Sequence, residues 1–291
     1  MVNKILSWAR ANRLTAALLV GVLVIVIGGG VVVTKLLSAP KGPLPDLPEI
    51  EITFDPEGPY AVLTPRNDGH ALTVSLKRIS GYDQFSYSIA YTDDQGIPRG
   101  AGDESTWIPL NGKSEFNQEI LFGTCSKNVC KYDNGVENGT LVLHIKKANQ
   151  PYKMSTLWHL QKPEVALGVL TSGDGHFTYD LKLSKAQLAG DTSSLSLPSF
   201  TLIHELTGAP KLPNNKKAEG KVYIVNTPDA KALPQGDVVI ESADKPSQNA
   251  KINLYSEKDN AWKELETSAS GSSTLKATTQ TGGIFAILSS K

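Results

Sequence analysis

The sequence predicts a mostly β fold: two β-sandwich modules carried behind an N-terminal transmembrane helix and a proline-rich stalk. Three observations point there. Residues 14–34 hold no charged side chain. Residues 50–291 break into short runs in which apolar and polar side chains alternate, the period of a half-buried strand. Clusters of Gly, Asp, Asn and Ser separate those runs, and such clusters are turn chemistry.

The first element is the span. Leu14 to Thr34 reads LTAALLVGVLVIVIGGGVVVT. As a helix rising 1.5 Å per residue it is roughly 30 Å long, the thickness of a bilayer's hydrocarbon core. Gly28 to Gly30 would weaken a helix in water, but glycine is common where lipid offers the backbone no competing partner. A secretory signal is the other reading, since Ser38-Ala39-Pro40 supplies small residues downstream. The apolar stretch exceeds the roughly 7–15 residues of a signal core, and proline after Ala39 is a poor cleavage neighbour, so an uncleaved anchor over 14–37 is expected. Lys4, Arg10 and Arg13 precede the span and no acid accompanies them. Positive-inside logic then puts residues 1–13 in the cytoplasm and the long C-terminal part outside the membrane.

The overall charge of zero conceals an asymmetry. Residues 1–41 hold five of the 29 Lys and Arg side chains and none of the 29 acids, which leaves residues 42–291 at −5. A mildly acidic exported part does not gather nucleic acid phosphates, so no nucleic acid partner is expected. The expected contacts are the bilayer, through residues 14–37, and a protein or glycan partner of the envelope or surface.

Residues 38–49 contain four prolines within APKGPLPDLP and read as an extended linker. A first module of β-sandwich, immunoglobulin-like type is expected over 50–162. Its strands are GHALTVSLKRI, QFSYSIAYT, EILFG, GTLVLHIKK and YKMSTLWHL, with turns at SGYD and DDQG. Trp107 and Trp158 are expected in its core. A second module is expected over 165–291, through HFTYDLKLS, SLPSFTLIHEL, KVYIVN and GDVVIESA. GAPKLPNNKKAEG reads as a polar connection and SKAQLAGD as one or two helical turns. Residues 165–215 read either as part of this module or as a subdomain of their own.

The compartment decides the chemistry of the two cysteines, Cys125 and Cys130 in GTCSKNVCKYDNG. Outside a membrane a thiol pair oxidises and stays oxidised, so a disulfide closing a small loop is expected. A C-x-x-C redox centre needs two intervening residues, and zinc needs further ligands at a recognisable spacing; neither pattern is present.

Residues 252–288 pair INLYS with AWKEL across an acidic turn, then run through TLKATT and bend at Gly282-Gly283 into IFAIL. Trp262 and Phe285 are expected to meet across the core. Leu254-Tyr255, Trp262, Leu265, Thr278-Thr279 and Gly283 to Ala286 resemble the closing hairpins of β-sandwich modules in bacterial and archaeal cell-surface proteins. That resemblance covers under forty residues; it implies a surface module and carries no activity.

Catalytic patterns are missing. His70 and His176 each follow a DGH turn, and His144 and His159 sit in strand-like runs. His204-Glu205 has glycine where H-E-x-x-H needs its second histidine. No G-x-S-x-G elbow or twelve-residue calcium loop occurs, although Asp93, Asp94 and Asp174 lie in turns that could hold an ion weakly. Asn138-Gly139-Thr140 matches a glycosylation sequon but reads equally as a strand-opening turn. No catalytic, cofactor or metal residue is assigned. The expected function is non-catalytic, an anchored binding or structural protein of the envelope. The alternative is a surface hydrolase of peptidoglycan or glycan, whose site would have to assemble from distant residues.

Overall fold

The computed structural model describes residues 47–127, 129–162, 168–181, 200–228, 233 and 235–291. The predicted span, its basic flank, most of the stalk and the SKAQLAGD turns lie outside the described residues. Those that are described form a mostly β, multi-sheet architecture of strands β1–β20, with no α-helix among them.

One sheet of ten strands organises the chain. Its first half joins β4 (Gln84–Thr92), β5 (Pro98–Pro109), β9 (Asn138–Lys147) and β10 (Gln150–Gln161). Its second half joins β13 (Thr201–Leu206), β14 (Lys216–Asn226), β16 (Lys251–Ser256), β17 (Ala261–Glu264) and β20 (Gly283–Ser290). The halves meet where β10 and β13 pair antiparallel, Trp158 opposite His204 and Leu160 opposite Leu202. The short β1 (Ile50–Ile52) runs parallel to the other end of β10. A hydrogen-bonded ladder thus runs unbroken from residues of the first predicted module into those of the second.

Two smaller sheets supply the partner faces. One is β2 (Tyr60–Pro65), β3 (Ala71–Lys77) and β6 (Glu115–Leu121). The other is β11 (Val169–Thr171), β12 (Phe177–Asp180), β15 (Gly236–Glu241), β19 (Thr274–Thr279) and β18 (Thr267–Ala269). Leu63, Leu72, Phe85, Ile89 and Trp158 belong to the first core cluster. Phe177, Tyr179, Tyr223, Ile252 and Phe285 belong to the second. A third joins Tyr60 and Val62 to Val222, Ile224, Ile284 and Ala286.

This third cluster explains a feature of the sequence. In β14, Val222 and Ile224 enter one cluster while Tyr223 and Val225 enter another. In β20, Ile284, Ala286 and Leu288 oppose Phe285 and Ile287 in the same way. Successive side chains point to opposite faces of a strand, so burial on both sides demands the unbroken apolar runs VYIV and IFAIL.

Three expectations are corrected. Trp107 is not core: it stays partly exposed on the edge strand β5, with the Lys146 ammonium 4.0 Å from its ring centre. Trp262 and Phe285 do not meet. Trp262 pairs with Tyr255, and Tyr255 with Ile284, so Trp262 shares a face with those two, whereas Phe285 shares the opposite face with Leu254. β14 begins at Lys216, inside the expected polar connection, with an irregular register between Ala218 and Val222. The sequence reading also did not name β5, which has no alternating apolar residues to announce it because this edge strand is exposed at most positions on both faces.

Candidate interaction surface

The hairpin of β7 (Gly123–Ser126) and β8 (Val129–Tyr132) carries the disulfide. Register explains how it forms. Cys125 lies directly opposite Cys130, with Cα atoms 4.0 Å apart, and Ser126 opposite Val129. Next to Ser126, Lys127 takes a φ of 48°, the sign that tight hairpin turns demand. At the base, Gly123 sits at φ 130°, and a Cβ there would lie 2.2 Å from the Lys131 carbonyl oxygen. Only glycine fits.

The base is rooted and the tip is bare. Phe122, fully buried, stacks on Trp158 in the first core. Asp133 accepts a hydrogen bond from the Tyr91 hydroxyl at 2.8 Å. The Tyr132 ring stacks on His70 at 4.3 Å, and the Arg66 guanidinium lies 5.8 Å from the same ring. Arg66 grips Asp68 through two bonds of 2.8 and 2.9 Å, which holds that carboxyl below its usual range. Every residue of β8 is exposed, and Val129 at the tip is 73% exposed. Residues 123–132 include Lys127 and Lys131 and no acid. The result is a covalently closed, cationic finger with an apolar tip and an aromatic base.

Titratable groups converge at a second place, on the outer face of the long sheet. His144 Nδ1 lies 2.6 Å from Glu49, and Nε2 lies 3.3 Å from Glu104 but off the line of a hydrogen bond. A neutral imidazole can donate to one carboxylate and an imidazolium to both. The Ser88 hydroxyl donates to Glu104, not to the imidazole, and that bond holds the Glu104 carboxyl below its usual range. The serine is therefore paired with a carboxylate and not with the imidazole, and the cluster gathers an imidazole, a hydroxyl and two carboxylates in one place. It comes from the residue before β1 and from β4, β5 and β9, so no spacing in the sequence announced it.

The remaining histidines have separate partners. His159 meets Asn138 at 2.7 Å, and His176 meets Glu241 at 3.4 Å. His204, completely buried, accepts from the Leu63 N–H at 3.0 Å and donates to the Glu205 carbonyl at 2.8 Å, which ties β2 to β13. Two of the three turn aspartates, Asp93 and Asp174, are occupied by protein donors, while Asp94 is exposed. Asp93 takes the N–H groups of Gln95 and Ile97 and the Arg99 guanidinium. Burial alone would raise the Asp174 carboxyl, but Ser172 and Lys221 hold it down at about 2. Among the described residues no group of three or more His, Cys, Asp or Glu side chains could hold a metal ion. No family model matches the chain, and no curated protein matches it.

Proposed function

We propose that this chain is a membrane-anchored, extracytoplasmic binding or structural protein of the cell envelope that performs no turnover. Its anchor is the uncharged span within residues 14–37, and residues 1–13 are cytoplasmic. The exported part comprises two β-sandwich modules over 50–162 and 165–291 that share one continuous sheet through the β10–β13 pairing. They present the disulfide-closed hairpin to an envelope protein or glycan.

The observation that carries this reading is the Cys125–Cys130 disulfide on an exposed hairpin. A bond with so little burial persists where the surroundings are oxidising, which supports the side of the membrane that the basic N-terminal flank predicts. The convergence of anchor, proline-rich linker and strand-rich body supports a protein that holds a surface out from a bilayer.

Protease added to intact spheroplasts tests it. Residues beyond the stalk should be degraded and only a short anchor fragment protected. Resistance of the whole chain would refute the orientation, and cleavage of peptidoglycan or a glycan by the full chain would refute the non-catalytic role.

A further inference from the structure

A cavity of about 340 Å³ opens where the segment before β2 faces the start of β14. It is at the small end of ligand pockets. Its apolar lining is Phe54, Pro56, Leu212, Pro213 and Ala218, of which Phe54, Leu212 and Ala218 pack on the third core cluster. An apolar floor backed by core is fixed in place before any ligand arrives.

The charges around it are unbalanced. Arg78, Lys211, Lys216, Lys217 and Lys291 line the cavity against one acid, Glu57. Lys216 is drawn to Glu264 at 3.3 Å and Lys217 to Glu219 at 3.8 Å, outside the cavity. Arg78 and Lys211 have no carboxylate within ion-pair distance among the described residues. Arg78 is the informative one. It sits half-buried at a φ of 61°, a left-handed conformation that costs an L side chain energy and persists only where the surroundings impose it. Its Nη1 donates to the carbonyls of Pro56 at 2.6 Å and Ala209 at 2.8 Å. Those bonds fix the guanidinium but do not neutralise it, and Nη2 and Nε remain as donors of its planar fork. The Lys211 backbone is held too, because its carbonyl accepts from the Trp262 indole N–H at 3.2 Å, and its side chain is exposed.

We propose that this cavity binds a small amphiphilic anion, a phosphate monoester or carboxylate with an apolar body. The anionic head pairs with Arg78 and Lys211, and the body lies on Phe54 and Leu212. The proposal does not depend on the anchor or on the hairpin, so it can fail while the envelope reading stands, and the reverse.

Calorimetric titration of the purified full chain tests it with four probes: phenyl phosphate, benzoate, inorganic phosphate and benzyl alcohol. The first two should bind with Kd of about 10–500 µM. Inorganic phosphate should bind about tenfold more weakly, and benzyl alcohol should give no measurable heat. Lys211→Glu should weaken phenyl phosphate about tenfold while leaving the melting temperature unchanged. Should that variant fail to fold, Lys211→Gln must show a loss in the same direction. Equal affinity for inorganic phosphate would mean charge attraction alone and would overturn the proposal. So would equal affinity for benzyl alcohol, indifference of binding to the Lys211 variants, or no heat from either aromatic anion at about 5 mM.

Discussion

Acidification from about pH 7.5 to about pH 5 should destabilise this protein chiefly through His204. Burial pulls that imidazole down to about 4, and the Glu205 carbonyl offsets the pull only in part. The Leu63 N–H fixes Nε2 as an acceptor, so a proton added there would set two donors face to face across 3.0 Å. In the unfolded chain the same group titrates near its ordinary value of about 6.5. The folded pKa is thus the lower one, and between the two values the unfolded state binds the extra proton. Stability is fully present above about pH 6.5 and drains as the pH falls toward about 4. At about 1.4 kcal/mol per pH unit, roughly 2 kcal/mol is lost by pH 5 and roughly 3 by pH 4. His159, also lowered by burial, adds in the same direction. The held-down carboxylates, Asp174 among them, lose their contribution only at lower pH.

Urea unfolding of the full chain, followed by tryptophan fluorescence at half-unit pH steps, measures this. His204→Gln retains an acceptor for Leu63 but cannot titrate. It should cost about 1–2 kcal/mol at neutral pH and flatten the profile between about pH 6.5 and 5. A wild-type profile already flat over that window would refute the reasoning, and so would a variant that keeps the wild-type slope.

Two further substitutions probe the packing. Gly139→Ala would place a Cβ 2.2 Å from Trp158 Cζ2 and 2.4 Å from the Ala90 carbonyl oxygen. It should cost about 3 kcal/mol in urea unfolding, whereas Gly81→Ala, with nothing within 4 Å, should be tolerated; a Gly139→Ala protein as stable as wild type would contradict the close approach. Replacing both Cys125 and Cys130 by Ser should cost about 2 kcal/mol by the loop-entropy account and leave the fold intact by circular dichroism. Two alkylatable thiols in wild-type protein taken directly from the membrane fraction would show that the bond does not form in place.

Strand identity was legible wherever one face of a strand meets the core. ALTVSLK, QFSYSIAYT and GTLVLHIKK advertise their inward residues at every second position, and Leu72, Phe85 and Leu141 are buried accordingly. The disulfide was legible from the compartment and a short spacing. What the chain could not disclose locally was pairing. Which strand adjoins β10 depends on residues some forty positions away, and the Trp158–His204 register that joins the halves of the long sheet has no counterpart in any local pattern. Strands buried on both faces lose their alternation, so VYIV and IFAIL reveal that they are buried but not what covers each side. That ambiguity is why Trp262 and Phe285 were expected to meet and instead lie on opposite faces. Polar sites are harder still. His204 becomes a buried acceptor, His144 a bridge between Glu49 and Glu104, and Arg78 a fixed cation beside a cavity, each through partners brought from distant segments. Sequence alone determined the class of the fold, its turns and its cross-link, because side-chain period and turn chemistry act over a few residues. Only the tertiary structure decided the sheet order and the surroundings of each charged group, because these follow from contacts between segments far apart in the chain.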